Sequence, residues 1–239
     1  MDGRLERRWL GRIDYRAAWQ LQHELVAARS SDQLADQLLL LEHPPVLTLG
    51  RQSDPAHVRA PMEELHRRGV ELIRVERGGE VTYHGPGQLV AYPIVKLAQR
   101  GVLLRPFVRA LEQAMIETAA GYGVAASRRD GYPGCWCAAP GEPPRKLGAL
   151  GLRVERGVTY HGIALNVTTN LSDFRLIDPC GLSEVEVTSI AREGGWTVEQ
   201  AQPSTASVER AARLFGDALE RALAGGRVQR EMASAGAAS

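Results

Sequence analysis

The segment Arg77-Gly78-Gly79-Glu80-Val81-Thr82-Tyr83-His84-Gly85-Pro86-Gly87-Gln88 packs four glycines and a proline between two apolar runs. Those runs, Leu72–Val75 and Leu89–Ile94, read as strands. Glycine allows a backbone turn with positive φ, or the close approach of another molecule. A plain turn needs one or two glycines, and it does not need a hydroxyl, a phenol and an imidazole on Thr82, Tyr83 and His84. The segment therefore reads as a ligand-lining loop. A phosphate or dinucleotide loop is the first alternative, and the chain gives it no support. There is no Gly-x-x-x-x-Gly-Lys-Ser/Thr, and Gly78-Gly79 does not fit Gly-x-Gly-x-x-Gly. His-Glu-x-x-His and Gly-x-Ser-x-Gly are also missing.

The chain has 239 residues, 44% of them hydrophobic and 24% charged, which suits one soluble globular domain with a core large enough to need no staples. With 29 basic and 28 acidic residues, the net charge of +1 points to neither a nucleic-acid nor a membrane partner. Met1–Arg8 is charged and lacks a signal-peptide core. The apolar run Leu38–Leu41 falls far short of a spanning helix of about 20 residues. Three cysteines do not make a disulfide framework, so the cytoplasm is the expected compartment.

Asp14 is placed to cap a helix running to about Arg29, with Tyr15, Ala18, Trp19, Leu21, Gln22 and Leu25 on its buried stripe. Gln37–Glu42 and Val46–Leu49 read as strands around Pro44-Pro45. Pro61 opens a short helix to about Arg68, and Val70–Val75 is a strand. A second long helix starts near Pro106 and reaches about Gly121, burying Phe107, Leu111, Ala114, Met115 and Thr118. Leu147–Val154 and Val158–Val167 form a hairpin through Glu155-Arg156-Gly157. A last helix spans about Thr205–Ala224, and the tail after Gly225-Gly226 is expected to be disordered. The expected architecture is α/β (α+β): residues 1–225 as one domain with a mixed sheet flanked by helices, and 226–239 as a tail.

Three kinds of side chain are candidates for chemistry. Cys180, in Asp178-Pro179-Cys180-Gly181-Leu182, has a turn-forming proline before it and a glycine after it. That context suits a presented thiol as well as a small buried hydrophobe. Cys135 and Cys137 read mainly as buried hydrophobes, because a Cys-x-Cys pair without a second ligand pair is a weak metal signal. Lys146 opens the small, apolar stretch Leu147-Gly148-Ala149-Leu150-Gly151. It is either a solvated charge at a loop-to-strand junction or a lysine whose desolvation lowers its pKa and pairs it with a thiol. His84 and His161 recur in Tyr-His-Gly, a weak signal by itself.

These segments together carry a resemblance. Arg77–Gln88 resembles the signature of the lipoyl(octanoyl) transferases, the LipB family. Lys146–Gly151 resembles that family's lysine segment, Arg156–Asn166 its next strand pair, and Asp178–Leu182 its nucleophile turn. The four motifs keep the family's order from about Leu41 to Thr188. Glu80 stands where many members carry glutamine or aspartate, and Cys135–Arg145 is longer and richer in proline than usual.

The resemblance implies the lipoate/biotin protein ligase fold and transfer of an octanoyl group from octanoyl-acyl carrier protein. The implied acceptor is a lysine of apo lipoyl domains, such as those of 2-oxoacid dehydrogenase complexes and the glycine cleavage H protein. It implies Cys180 as the acyl-thioester nucleophile and Lys146 as the group that lowers its pKa. It further implies a substrate wall of Arg77, Gly78, Gly79, Glu80, Val81, Thr82, Tyr83, His84, Ala149, Leu150, Gly151, Gly162, Ile163 and Ala164. No cofactor and no metal is implied, and a monomer is expected. Two other readings use the same scaffold: an ATP-dependent lipoate or biotin ligase, which needs an adenylate site and no thiol, and a non-catalytic acyl- or lipoyl-domain-binding relative.

Overall fold

The computed structural model describes residues 5–178, 185–197, 199–202 and 205–236, the side chains of the last helix over 207–224. Cys180, with the rest of its turn from Pro179 onward, lies outside the described residues. Ten strands and five α-helices follow one another as β1 (Leu5–Arg12), α1 (Tyr15–Ser30), β2 (Asp36–Glu42), β3 (Val46–Leu49), α2 (Met62–Arg67), β4 (Glu71–Arg74), β5 (Thr82–His84), β6 (Gln88–Ile94), α3 (Leu104–Ala120), β7 (Ser127–Arg129), β8 (Tyr132–Cys137), β9 (Arg145–Glu155), β10 (Val158–Asn166), α4 (Ile190–Glu193) and α5 (Thr205–Gly236). Short 3-10 turns cover Pro55–His57 and Leu171–Leu176.

The strands form two sheets rather than the one expected. The larger runs β1-β2-β6-β10-β9-β8-β7, and the smaller runs β4-β3-β5. Both are mixed: β1 is parallel to β2 and β3 to β4, and the other pairs are antiparallel.

Side-chain alternation assigns the two faces of the larger sheet. Leu38, Leu40, Leu89, Ala91, Ile163 and Leu165 meet α3 and α5 on one face. Leu39, Leu41, Val90, Tyr92, Tyr160 and Ala164 meet α1 on the other. The unbroken run Leu38–Leu41 is thus a strand buried on both faces, which is why it lacks the polar alternation of a surface strand. Burial of each such leucine contributes about 1.5–3 kcal/mol. The smaller sheet packs against α2 and the 3-10 turn through Leu47, Leu49, Leu65, Tyr83 and Leu176.

Asp14 caps α1, accepting from the Arg16 and Ala17 amides at 2.9 and 3.1 Å. The 155–158 hairpin turns through Arg156 at φ 50° and Gly157 at φ 78°, the left-handed pair of a type I′ turn. Two regions depart from expectation. Strand β1 hides in a charged stretch: Arg7 reaches across to Asp217 and Glu220 of α5, so its polar character serves ion pairing and not solvent. Helix α5 continues past Gly225-Gly226, because glycine weakens a helix by about 1 kcal/mol per residue but keeps its N–H donor. No helix among the described residues is long and apolar enough to cross a membrane.

Gly162 marks where the central strands press together, since a Cβ there would lie 2.0 Å from the Ala91 carbonyl oxygen. Gly162→Ala is expected to cost about 1–3 kcal/mol of stability, because the clash is with backbone and cannot relax by a rotamer change. Urea unfolding monitored by circular dichroism measures it, and an unchanged midpoint would show that β6 and β10 can move apart.

Candidate active site

The cavity lies where the α1 face of the larger sheet meets the smaller sheet. It is lined by Arg77–Thr82, His84, Lys146, Ala149–Gly151 and Gly162–Ala164, joined by Tyr15, Tyr92 and His161. Every wall residue read from the sequence is there except Tyr83. Strand alternation explains the exception. Thr82 and His84 face the cavity, and Tyr83 points the other way, its hydroxyl donating to Asp173 at 3.0 Å and its ring edge-on to Phe174. Tyr83 is therefore part of the core beneath the smaller sheet and not of the wall.

The glycines let the two sheets touch. A Cβ at Gly151 would come within 2.7 Å of the Gly78 carbonyl oxygen, and one at Gly50 within 2.2 Å of the Gly79 oxygen. Gly78 N–H donates to the Leu152 carbonyl across this contact at 3.1 Å. Arg77 locks the segment. Its guanidinium donates to the Thr48 carbonyl at 2.6 Å, to the Thr48 hydroxyl at 2.9 Å and to the Gly78 carbonyl at 3.1 Å. Gly85 and Gly87 stand outside the wall and serve the β5–β6 turn, where the Gly87 carbonyl accepts from the Val167 and Thr168 amides.

Lys146 owes its position to an irregularity in β9. Strand β8 pairs Cys135 with Gly148 but Trp136 with Lys146, which leaves Leu147 as an extra residue. Leu147 is in the core under α3, and a Cβ at Gly148 would also point there, 2.8 Å from Met115 Sδ. Two successive positions thus share the core face, and Lys146 emerges on the cavity side with Ala149. Its ammonium lies 5.1 Å from the centre of the Trp136 ring, within cation–π range. Its backbone is held on the other side too, its amide donating to Glu186 at 2.8 Å and its carbonyl accepting from Thr188 at 2.9 Å.

A buried polar chain ties these elements together. Gln88 donates through Nε2 to the Asn166 side chain at 3.0 Å and to the Tyr83 carbonyl at 3.1 Å. Its Oε1 is left as the acceptor, so His84 Nδ1 carries the proton in their 2.8 Å contact. Asn166 donates onward to the Thr188 carbonyl, Thr188 Oγ1 to Glu193 at 2.6 Å, and Arg145 closes on Glu193 at 2.8 Å. The paired Arg145 guanidinium holds the Glu193 carboxyl below its usual range. Beside the cavity His43 donates from Nδ1 to the Ile13 carbonyl and accepts at Nε2 from the Tyr92 hydroxyl, both at 2.8 Å. Burial pushes the Tyr15 phenol up to about 12.

Cys135 and Cys137 are both buried on the α3 face, away from the cavity. Burial pushes both thiols up, Cys137 to about 12, so neither is a ready nucleophile. Tyr15, Tyr92, Gln88 and Asn166 are site residues that sequence reading did not single out. A polar side chain inside an otherwise apolar run was the available signal for the last three.

Burial lowers His43 to about 4, and burial together with the nearby His43 lowers His84 to about 3, from an ordinary 6.5. Both are neutral when folded, and the unfolded chain takes up their protons below about pH 6.5. Their stabilisation is therefore complete above that pH and is lost as pH falls toward the folded values. From pH 7.5 to 5 each histidine should remove about 2 kcal/mol of unfolding free energy. Urea titrations at the two pH values measure the drop, and His43→Gln should make it smaller; an equal drop in the variant would contradict a neutral, buried His43.

Residues 14–211 match the lipoyl protein ligase A/B catalytic domain. The octanoyltransferase of Chloroflexus aggregans is 51% identical over 78% of this chain and 83% of its own. That of Acidobacterium capsulatum is 48% identical over 87% of each. Among solved structures, the bipartite lipoate protein ligase of Thermoplasma acidophilum superposes with a TM-score of 0.60 at 14% identity, covering 92% of this chain and 84% of that one, a likeness of fold. A cavity walled by Arg77–Thr82 and His84 and reached by Lys146 thus sits on a lipoate-ligase scaffold, and the chain belongs to the lipoyl protein ligase A/B catalytic domain family, in its octanoyltransferase (LipB) branch.

Proposed function

We propose that this chain is an acyltransferase that moves an octanoyl group from octanoyl-acyl carrier protein to a lysine of apo lipoyl domains, through a thioester on Cys180. The observation that carries this reading is the emergence of Lys146, by the β9 irregularity, into a cavity walled by Gly78, Gly79, Gly151 and Gly162. Val187, close after the Cys180 segment in sequence, bridges Lys146, and Asp178, just before it, donates its amide to the His57 carbonyl at 2.8 Å. Asp178 and Val187 are thus described residues on either side of Cys180 in sequence, held by His57 and Lys146.

In the first step the Cys180 thiolate, paired with the Lys146 ammonium, attacks the donor thioester. A carbon–sulfur bond forms at the enzyme and another breaks at the donor, whose sulfur leaves as a thiol with the Lys146 proton, so Lys146 is left neutral. Exchange of one thioester for another is near thermoneutral, so the step needs no ATP. In the second step the acceptor lysine attacks as a neutral amine. A carbon–nitrogen bond forms, the Cys180 thiolate leaves, and Lys146 takes a proton from the amine. The alkyl chain gains roughly 0.8 kcal/mol per methylene buried against the cavity wall. The proposed acceptors are lipoyl domains of 2-oxoacid dehydrogenase complexes and the glycine cleavage H protein, and the proposed state is a cytoplasmic monomer.

Mass spectrometry of the protein mixed with octanoyl carrier protein should find an octanoyl adduct on Cys180. An adduct on Cys135 or Cys137 would reassign the nucleophile. Cys180→Ser should keep the fold and abolish transfer. Lys146→Ala should raise the pH at which Cys180 reacts with iodoacetamide, and an unmoved profile would remove the lysine from the mechanism.

A further inference from the structure

The end of the cavity away from Lys146 is polar, and octanoyl transfer gives that polarity no role. His161 pairs opposite Leu152, six positions beyond Lys146 along β9, so about 17–20 Å of strand separates the two ends. A lysine side chain of about 6 Å and an extended eight-carbon chain of about 9 Å together bring the chain terminus close to the imidazole.

His161 is held there against the ordinary habit of a strand. Its φ is 53°, in the left-handed region, and its ring stacks on that of the preceding residue, Tyr160, at 4.9 Å. Consecutive strand residues normally point to opposite faces, so this backbone turns the imidazole into the cavity wall. The turn is supported from α1, where the buried Gln22 side chain accepts the His161 amide at 2.8 Å.

The ring is 1% exposed, and its Nδ1 has no hydrogen-bond partner among the described residues. Nε2 lies 3.6 Å from Glu76 Oε1, an oxygen that also receives the Trp19 indole N–H at 3.0 Å. A carboxylate only accepts, so its proximity keeps the proton on Nε2 and leaves Nδ1 as a bare acceptor with no donor. A buried acceptor without a donor calls for a ligand that carries one.

Resting on the acyl-transfer reading above, we propose that His161 Nδ1 accepts a hydrogen bond from a donor group at the far end of the acyl chain. The cavity would then take medium-length acyl chains bearing a terminal hydroxyl alongside plain octanoyl. The bonds made and broken at the thioester are those of the octanoyl reaction, and the terminal group takes no part in them.

The test compares 8-hydroxyoctanoyl, nonanoyl and octanoyl carrier proteins with one lipoyl domain. Nonanoyl matches the hydroxylated chain in length and replaces its hydroxyl by a methyl. The wild type should transfer the hydroxylated chain at least as fast as nonanoyl. In His161→Gly, which tolerates the left-handed backbone, the hydroxy-to-nonanoyl ratio should fall about tenfold. In His161→Asn, which also tolerates that backbone and keeps an acceptor, it should partly recover. The ratio is insensitive to a general loss of activity, so a destabilised variant still reports. A wild-type preference for nonanoyl of tenfold or more, or a ratio unchanged in the glycine variant, would overturn the assignment to His161. Failure of octanoyl transfer itself would instead count against the acyl-transfer reading.

Discussion

Gly78 N–H donates to the Leu152 carbonyl, and around that bond the two sheets meet backbone to backbone. The spacing leaves no room for a Cβ on Gly50 or Gly151. A methyl on Gly151 would push the Arg77–Thr82 wall off β9, and the cavity would lose one side. Arg77 complements the contact by binding the Thr48 and Gly78 carbonyls, so a single buried guanidinium joins β3 to the glycine segment. A planar donor fork suits this work, because it satisfies several carbonyls at fixed angles.

The same economy places the lysine. One extra residue in β9 puts Leu147 and the Gly148 position on the core side and releases Lys146 to the cavity. Trp136 below it and the 186–188 backbone beside it restrict where the ammonium can go. The chain from His84 through Gln88, Asn166 and Thr188 to Glu193 then couples the glycine wall to the strand that carries the lysine. Buried and mutually satisfied polar groups of this kind specify one arrangement of the elements, since each displaced member leaves another unpaired.

Much of this was legible before any coordinates. The Asp14 cap, the Gln37–Glu42 strand, the 155–158 hairpin and the amphipathic α3 each have a local cause that the residues carry with them. Arg77–Thr82, His84, Ala149–Gly151 and Gly162–Ala164 were legible as wall by resemblance, and they line one cavity together with Lys146. Less was legible where a side chain's role depends on a distant partner. Arg7 looks solvated until α5 supplies Asp217 and Glu220. Tyr83 looks like wall until strand alternation turns it to Asp173. Tyr15 and Tyr92 look like core until the smaller sheet arrives to leave a gap beside them.

The residues alone determined strands β2, β3, β4, β6, β9 and β10 and helices α1, α2 and α3, because those choices follow from local sterics, capping and periodicity. They also determined the family, through four motifs in one order. The tertiary structure alone decided which face each of those residues presents. Facing depends on register, and register shifts with a single extra residue, as Leu147 shows. It also decided that His161 lies in the wall with its Nδ1 unpaired, a consequence of one left-handed backbone angle. A histidine before a glycine does not announce that angle; the packing of Gln22 and Tyr160 against it does.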